Sequence, residues 1–264
     1  MISLDLLMLT TAILFGLVIG SFLNVVIYRV PNNESLMGRS HCPGCANQIA
    51  AYDNVPVLSW VALRGKCRKC HSRISPQYPI VEGVTGVFFG VVVWQFGFSL
   101  TTVVLLFFAA VSVALFVIDL QTLRLPDKIV IPSFIVVTMG LLATSLADGD
   151  VQRFLLALVS SIALASFYFI IWVATSGRGL GFGDVKLAPT LGIVMGYFSW
   201  EAVITGTAAA WLIGAVVGVF AIAIGRASRG KPIPFGPFLL LGCWIGVFVG
   251  ESIFTGYWSF MQSL

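Results

Sequence analysis

The chain has 264 residues, of which 58% are hydrophobic and only 10% are charged, and its mean hydropathy is +1.00. A soluble core does not need this much apolar surface, so the composition excludes a soluble globular protein and predicts an integral membrane protein. The formal net charge of +4 comes from basic residues that cluster between apolar runs. We interpret this charge as a signal of membrane topology and expect no nucleic-acid binding.

Apolar runs long enough to cross a bilayer follow one another along most of the chain. A membrane helix needs about 20 apolar residues, and six runs reach this length, whereas two further runs are weaker because one is short and contains Pro189 and the other carries Glu251. Continuous runs without alternation predict helices and not a barrel. The six secure runs lie near residues 6–27, 80–98, 100–118, 129–147, 154–174 and 202–225, and the two weaker runs near 187–200 and 235–258.

These runs predict an all-α fold, a polytopic transmembrane helical bundle of about eight spans with a small cytoplasmic zinc-binding segment. The first run has no basic region before it and no small-residue cleavage site before Arg29, so we interpret it as a retained helix and not as a secretory signal. The domains expected are a first transmembrane helix at 1–28, a cytoplasmic four-cysteine segment at 29–79, and a transmembrane domain at 80–264.

The basic residues predict the orientation in the membrane. With eight spans, one side of the membrane receives 14 lysine and arginine residues and the other side only Arg153. By the positive-inside rule the crowded side is cytoplasmic, and both chain ends face outward. The residues on the crowded side are Arg29, Arg39, Arg64, Lys66, Arg68, Lys69, Arg73, Arg124, Lys128, Arg178, Lys186, Arg226, Arg229 and Lys231.

Four cysteines lie in the long polar stretch at 29–79, as Cys42-x-x-Cys45 and, after 21 residues, Cys67-x-x-Cys70. Two residues between cysteines allow a tight turn that aims both sulfurs at one ion, so the pattern predicts a structural zinc site with four thiolate ligands. A pair of disulfides is the main alternative, but the predicted cytoplasmic location disfavours it. A catalytic zinc is less favoured, since four thiolates leave no open position for water.

Three other residues have a bearing on the zinc prediction. His41 and His71 adjoin the two cysteine pairs and could substitute as ligands, although solvated loop positions suit them better. Cys243 stands alone within an apolar run, where we expect it to be a small packing residue.

Two aspartates stand at the ends of apolar runs, Asp119 in "LFVIDLQTLRLPD" and Asp184 in "GRGLGFGDVKL". A carboxylate near the bilayer centre costs at least about 2.5–3.5 kcal/mol and usually marks function. In the predicted topology both lie at cytoplasmic helix ends, at similar depth, so they can meet. Singly, Asp184 could be a helix N-cap and Asp119 a partner of Arg124 or Lys128; as a pair, they favour a functional interpretation.

Two carboxylates within hydrogen-bonding range cannot both ionise easily and therefore share one proton. The ionised member can accept a proton from water as the water attacks a carbonyl, while the protonated member polarises the carbonyl oxygen and later protonates the leaving amine. The pair titrates as a unit, so the sequence does not say which aspartate starts protonated.

Beyond this chemistry, the chain resembles the bacterial prepilin peptidases, the type IV leader peptidases of the GxGD aspartyl protease class, over nearly its whole length. The four-residue GxGD pattern alone is weak, but the ordered set of motifs is specific. The motifs are "GSFLNVVIYR" at 20–29, the two cysteine pairs around "DNVPVLSW" at 53–60, "RGKCRKC" at 64–70, "YPIVE" at 78–82, Asp119 followed by "LPD" at 125–127, "GFGDVKL" at 181–187, and "IPFGPFL" at 233–239.

The resemblance implies that Asp119 and Asp184 are a catalytic dyad. It also implies the substrates, namely type IV prepilins or type II secretion pseudopilins whose short basic leader is cut after a glycine at the cytoplasmic face of the bacterial inner membrane. Family members that carry the cysteine segment typically also methylate the new N-terminal amine, usually of phenylalanine, with S-adenosylmethionine as methyl donor.

No pattern in the sequence reveals the methyltransferase site, and no Rossmann-like fingerprint is present. Glu82, Asp53 and Asn54 are polar residues beside the cysteine segment and are weak candidates for binding substrate or cofactor, although Glu82 could instead pair with an arginine. For Asp127, which follows Pro126, we expect a helix-capping role.

Two other function classes compete with a membrane peptidase. A proton-coupled transporter would use its intramembrane carboxylates as relays, but these carboxylates lie at one face and no internal repeat relates the two halves. A zinc-bearing membrane scaffold of the pilus or secretion machinery would bind partners without cleaving them.

Overall fold

A computed structural model describes residues 4–224 and 234–262 of the chain. It confirms the all-α class: within these ranges the regular elements are helices, and two isolated β-bridges are the only strand-like pairing. A short 3₁₀ helix, Ala51–Asn54, accompanies the α-helices. These are α1 (Leu4–Arg29), α2 (Leu58–Ala62), α3 (Gln77–Phe96), α4 (Leu100–Thr122), α5 (Asp127–Asp148), α6 (Val151–Ala174), α7 (Phe182–Phe198), α8 (Trp200–Ala223) and α9 (Gly236–Gln262).

Seven of the described helices, α1, α3 to α6, α8 and α9, are long and apolar enough to cross a membrane. The protein is therefore a multi-pass membrane protein. Each of the eight predicted apolar runs corresponds to one helix, whose bounds differ from the predicted ones by a few residues, but α7 has 17 residues. A helix of that length extends about 25 Å, less than the roughly 30 Å of a hydrocarbon core, and this places α7 below the length of a full span.

The chain divides into two compact units, Met1–Ala114 and Leu115–Leu264. In the first unit, α1 packs closely on α3 because glycines replace larger residues where the two helices meet. A Cβ added to Gly20 would lie 2.6 Å from Cα of Glu82, and one added to Gly16 would lie 2.8 Å from Cα of Gly86. Such small residues at four-residue spacing allow membrane helices to approach backbone to backbone.

The polar segment between α1 and α3 is held by side chains that bind across it. Arg29, the last residue of α1, donates to the carbonyl oxygens of Ser35, Leu36 and Met37. Asp53 in the 3₁₀ helix forms a bidentate ion pair with Arg68, at 2.7 Å between Oδ1 and Nη2. These contacts hold the start of the segment against the end of α1 and join the two halves of the segment to each other.

In the second unit, α7 is the central helix and packs against α5, α6, α8 and α9. Its close approach to α6 depends on Gly192, where an added Cβ would lie 2.7 Å from Cα of Ser161. Most residues of α7 are buried, including the polar Thr190. Because α7 is surrounded, Asp184 in its first turn lies inside the unit and not on its surface.

Part of the predicted topology lies outside the described residues, namely Arg226, Arg229, Lys231, the last residue of the run at 202–225, and Ile233 of the "IPFGPFL" motif. The orientation in the membrane and the domain boundaries at 28/29 and 79/80 stay predictions.

Candidate active site

Asp119 lies in the last turn of α4, within the part of that helix that belongs to the second unit. Its residue surface is 4% exposed. Its Oδ2 accepts a hydrogen bond of 3.1 Å from the backbone N–H of Gly236, which is the first residue of α9. The N-terminus of a helix carries free N–H groups and a partial positive charge, so this partner stabilises a negative carboxylate.

Asp184 lies in the first turn of α7 and is 6% exposed. Its Oδ2 accepts a hydrogen bond of 3.1 Å from the backbone N–H of Gly181, and its own N–H donates to the carbonyl oxygen of Gly181. Asp184 is thus the third residue of the helix and binds back to the N-cap position, as in a capping box. The N-cap residue of α7 is Gly181, so the expectation that a solitary Asp184 is itself the N-cap is wrong, although its side chain does bond to the N-cap backbone.

The structure brings the two aspartates to the same end of the second unit. The side chain of Leu125 packs against a neighbour of each aspartate. It lies 3.1 Å from a Cβ added at Gly183, which precedes Asp184, and 3.4 Å from one added at Gly236, which binds Asp119. The carboxylate of Asp119 is close enough for its charge to act on Asp184. Two buried acidic side chains, 65 positions apart in the sequence, are therefore neighbours.

Two opposing effects act on this pair of carboxylates. Each accepts a backbone N–H, which favours the ionised form, whereas burial and the charge of the neighbour favour the protonated form. A pair in such surroundings suits a single shared proton, which is the state that acid–base hydrolysis needs. The arrangement is therefore chemically suited to acid–base catalysis by two carboxylates.

A tyrosine that the sequence did not single out lies beside Asp184. Tyr168 of α6 is 1% exposed, and its ring stacks on Trp211 of α8 with centroids 6.3 Å apart and an interplanar angle of 11°. The phenol of Tyr168 lies within electrostatic range of the Asp184 carboxylate. Both aromatic residues fall inside long apolar runs, where no sequence signal separates them from core packing.

Asp127 does not cap α5 through its side chain, so that prediction is wrong. The N-cap position is Pro126, without a side-chain capping bond, and Asp127 is the first helical residue. Its carboxylate oxygens instead accept from Nζ of Lys186 at 2.7 and 2.9 Å. The lysine follows Asp184 by two positions on α7. Its charge-assisted hydrogen bonds to Asp127, made between two helices, are stronger than a local capping bond to a neutral backbone N–H.

The four predicted metal ligands come together in the first unit. The sulfur atoms of Cys42, Cys45, Cys67 and Cys70 all lie within 4.8 Å of one another, and Sγ of Cys42 is 3.7 Å from Sγ of Cys70. Zinc–sulfur bonds of about 2.3 Å place tetrahedral ligands about 3.8 Å apart, so the cluster fits a zinc ion. All four cysteines are free, which does not support the disulfide alternative.

The two cysteine pairs have the same backbone structure, offset by 25 residues. In the first, Cys42 N–H donates to Asn47, and Ala46 N–H donates back to Cys42; in the second, Cys67 N–H donates to Ser72, and His71 N–H donates back to Cys67. Ala46 and His71 both have positive φ, 54° and 57°. The two isolated β-bridges, one between His41 and Gln48 and the other between Lys66 and Arg73, are also offset by 25 residues.

Ser72 is the polar neighbour of the sulfurs. Its Oγ lies 3.1 Å from Sγ of Cys70 and 3.5 Å from Sγ of Cys42. Hydrogen bonding by Ser72, followed by a backbone N–H at Gly44, lowers the pKa of Cys42 to about 6, and Ser72 likewise lowers the pKa of Cys70. Such neighbours favour the thiolate form that binds metal. His41 and His71 are exposed and are not in the sulfur cluster.

The three weak cofactor candidates have different surroundings. Asp53 is engaged by Arg68, whose guanidinium also lies 5.4 Å from the centroid of the Tyr52 ring. Asn54 is exposed at the end of the 3₁₀ helix. Glu82 is buried in α3, and its Oε2 accepts from the backbone N–H of Val57 at 2.7 Å. The expected pairing of Glu82 with an arginine is absent from the ion pairs of the described residues.

In comparisons with known proteins, two family models match successive parts of the chain. Residues 14–96 match the model of the bacterial peptidase A24 N-terminal domain, and residues 106–219 match the model of the type IV leader peptidase family. No solved structure matches the chain.

Several curated relatives carry the name "Prepilin leader peptidase/N-methyltransferase". That of Stutzerimonas stutzeri is 35% identical over 95% of this chain and 94% of its own. The relative from Pseudomonas aeruginosa is 33% identical over 94% of this chain and 92% of its own, and that of Neisseria gonorrhoeae 31% identical over 92% and 91%. With both models matched and such identity over almost the whole length, the chain belongs to the type IV leader peptidase family.

Proposed function

We propose that this protein is a membrane aspartyl endopeptidase that removes the leader of type IV prepilins or type II secretion pseudopilins and then methylates the new N-terminal amine. The observation that carries the proposal is the pair of buried carboxylates, Asp119 and Asp184, held by backbone N–H groups at one end of the second unit. The matched family and the names of the relatives support the same activities.

In the peptidase step, the pair holds one proton and a water molecule lies between the two carboxylates. The ionised aspartate takes a proton from the water, whose oxygen attacks the scissile carbonyl carbon, while the protonated aspartate donates to the carbonyl oxygen. When the carbon–nitrogen bond breaks, the leaving amine takes a proton from the dyad. The N–H groups of Gly236 and Gly181 keep both carboxylates oriented during the cycle.

The location that we propose is the bacterial inner membrane, with the dyad and the cysteine segment facing the cytoplasm. The support for the orientation comes from the basic residues, which gather on one side when all eight predicted runs cross the bilayer. The seven described helices that can span a bilayer support the membrane location itself. A pilin stem can then lie in the bilayer as its basic leader reaches the dyad from the cytoplasmic side.

For the cysteine cluster we propose a structural zinc ion bound by Cys42, Cys45, Cys67 and Cys70. Four sulfur ligands complete the coordination sphere, so the ion would hold the segment together and supply no catalytic water. For the methylation step we propose S-adenosylmethionine as the methyl donor, because the relatives are named N-methyltransferases.

The test is cleavage and mass analysis with purified protein in detergent and a prepilin substrate. We expect leader removal and a gain of one methyl group by the wild type, and loss of cleavage in Asp119→Asn and in Asp184→Asn, each still folded. The matched control is Asp150→Asn, which alters an aspartate that pairs with exposed Arg153 at the start of α6.

Retained cleavage in either dyad variant would remove that aspartate from the mechanism. Binding of prepilin without cleavage by the wild type would favour the scaffold alternative. Proton flux into proteoliposomes that depends on Asp184, without proteolysis, would favour the transporter alternative.

A further inference from the structure

A third buried carboxylate, Glu82, lies in the first unit and has no place in the peptidase mechanism. It is 7% exposed on α3, near the helix end that joins the cysteine segment. Its Oε2 accepts the Val57 N–H, and Ser21 of α1 lies nearby. The ion pairs among the described residues join Arg68 to Asp53, Arg153 to Asp150 and Lys186 to Asp127, so none neutralises Glu82. A buried carboxylate without a cation is costly, and function often accounts for one in a membrane helix.

A second acceptor lies one helical turn away. Asn24 of α1 is 5% exposed, and its Nδ2 donates to the carbonyl oxygens of Gly20 and Tyr78. Its Oδ1 is buried and has no hydrogen-bond partner. Because Gly20 packs on Cα of Glu82 and Asn24 binds the carbonyl of Tyr78, Asn24 and Glu82 lie about one turn apart along the same pair of helices. Buried polar atoms are nearly always paired, so an unpaired acceptor about one turn from an unneutralised carboxylate indicates a missing donor.

The backbone that covers Glu82 is strained. Val57 has φ 60° and ψ −49°, and Leu58 N–H donates to the carbonyl oxygen of Pro56 at 2.6 Å. These values describe a γ-turn of the rare, strained kind, which a β-branched residue disfavours further. The turn presents the Val57 N–H to Glu82. Strain of this sort persists where the surroundings impose it, and it concentrates at functional sites.

We propose that the Glu82 cluster, defined as Ser21, Asn24, Val57 and Glu82, binds the α-ammonium group of the cleaved substrate for methylation. An ammonium group supplies both missing features, a positive charge for Glu82 and N–H donors for Glu82 and Asn24. The cluster lies within 14–96, matched by the N-terminal domain model, and outside 106–219, matched by the leader peptidase model. This inference rests on the proposed function, since it assigns a site to its methylation step.

The chemistry requires that the amine lose a proton before it reacts. Glu82 accepts a proton from the ammonium nitrogen, which leaves a lone pair on that nitrogen. The lone pair attacks the methyl carbon of S-adenosylmethionine, and the carbon–sulfur bond breaks with its electron pair remaining on sulfur. The products are the methylated ammonium terminus, S-adenosylhomocysteine and protonated Glu82, which then releases its proton to water. General base catalysis of this kind contributes about 10²–10⁴-fold to a rate.

The critical variant is Glu82→Gln, because glutamine can still accept the Val57 N–H but cannot take a proton or neutralise an ammonium group. With purified full-length protein and a synthetic mature pilin peptide bearing a free N-terminus, we expect methylation kcat/KM to fall by about 100-fold or more. Residual methylation should increase about tenfold per pH unit as the free amine fraction rises, below the pKa of a terminal amine near 7.7–8.0. Asn24→Leu should raise KM for the peptide and leave KM for S-adenosylmethionine unchanged.

Cleavage of the prepilin by the same preparations is the internal reference, and Glu34→Gln, at an exposed carboxylate of the same unit, is the matched control. Methylation by Glu82→Gln within threefold of wild type would overturn the assignment of Glu82. So would an equal loss of cleavage and methylation, or a rise in KM for S-adenosylmethionine alone. A wild-type protein that cleaves but never methylates would instead contradict the methylation step of the proposed function.

Discussion

The backbone N–H of Gly236 donates to the carboxylate of Asp119 although the two residues are 117 positions apart in the chain. Glycine is required for this contact, since a Cβ at position 236 would lie 2.7 Å from Oδ2 of Asp119. With any other residue at position 236, the start of α9 could not approach the aspartate this closely. The contact couples the position of one catalytic candidate to the start of another helix.

We predict that Gly236→Ala impairs cleavage without unfolding the protein. The new methyl group must displace either the carboxylate or the helix start, and a misplacement of about 1 Å in an active site can cost about 10²-fold in rate. Steady-state kinetics of prepilin cleavage should therefore show kcat lowered by about that factor. The melting temperature in detergent should change little.

Gly256→Ala is the matched control for this substitution. It changes another glycine of α9, and a Cβ at Gly256 would meet no atom within 4 Å. Its cleavage rate should equal that of the wild type. If Gly236→Ala is as active as Gly256→Ala, the close approach to Asp119 has no catalytic role.

The ion pair between Asp127 and Lys186 provides a second prediction, for the neighbourhood of the dyad. The side chains are 54% and 32% exposed, and pairs of this kind contribute about 0–1 kcal/mol to stability. We expect Asp127→Asn and Lys186→Met each to lower the free energy of unfolding by less than about 1 kcal/mol, and cleavage by Asp127→Asn to stay within a few-fold of wild type.

A double-mutant cycle on unfolding and on cleavage rate measures the coupling of this pair directly. Additive effects on stability would show that the contact contributes nothing. Loss of cleavage in Asp127→Asn as severe as in Asp184→Asn would contradict the assignment of the dyad, because Asp127 would then be a catalytic residue.

The helices and the pair of aspartates could be predicted from sequence because each reflects a large free-energy cost that a short stretch of sequence reveals. A run of 20 apolar residues has no stable place outside a membrane or core, and a single carboxylate within such a run needs a compensating role. The spacing of the cysteine pairs is likewise set by the turn that directs two sulfurs at one ion. The matching bonds at Cys42 and Cys67 show that both pairs use one turn geometry.

The contacts that orient the site could not be predicted in the same way, because they join distant residues of ordinary type. Tyr168 and Trp211 stand in apolar runs on different helices, where aromatic residues are common for packing alone. The capping role expected for Asp127 failed because Lys186, 59 positions later, offers a charged partner. Unpaired atoms such as Oδ1 of Asn24 become visible only when the packing of α1 on α3 is known.

The cysteine cluster yields a prediction about metal content. Cys42→Ser and Cys67→Ser each remove one of four ligands, so we expect loss of the single zinc ion and greater protease sensitivity of residues 29–79. Atomic absorption of the purified variants measures the metal. Cleavage should decrease less than in the dyad variants, since four thiolates leave no position for a catalytic water.

Cys243→Ala is the matched control for the metal measurement. Cys243 is 1% exposed in α9 and takes no part in the sulfur cluster, so this variant should keep one zinc ion per chain. Unchanged zinc content in both ligand variants would contradict a site made of the four cysteines.

Ser72 provides the last prediction, because it contacts two sulfurs without being a ligand. Its Oγ lies near Sγ of Cys70 and of Cys42, and groups that orient metal ligands from outside typically change affinity by about 10–100-fold. We expect Ser72→Ala to weaken zinc binding by a factor in this range, measured by competition with a chromophoric chelator. Ser75→Ala is the control, since the Ser75 hydroxyl accepts a hydrogen bond from the Gln77 N–H and is not a neighbour of the sulfurs in the bonds described above. Equal affinities in the two variants would show that the serine–sulfur contacts are incidental to metal binding.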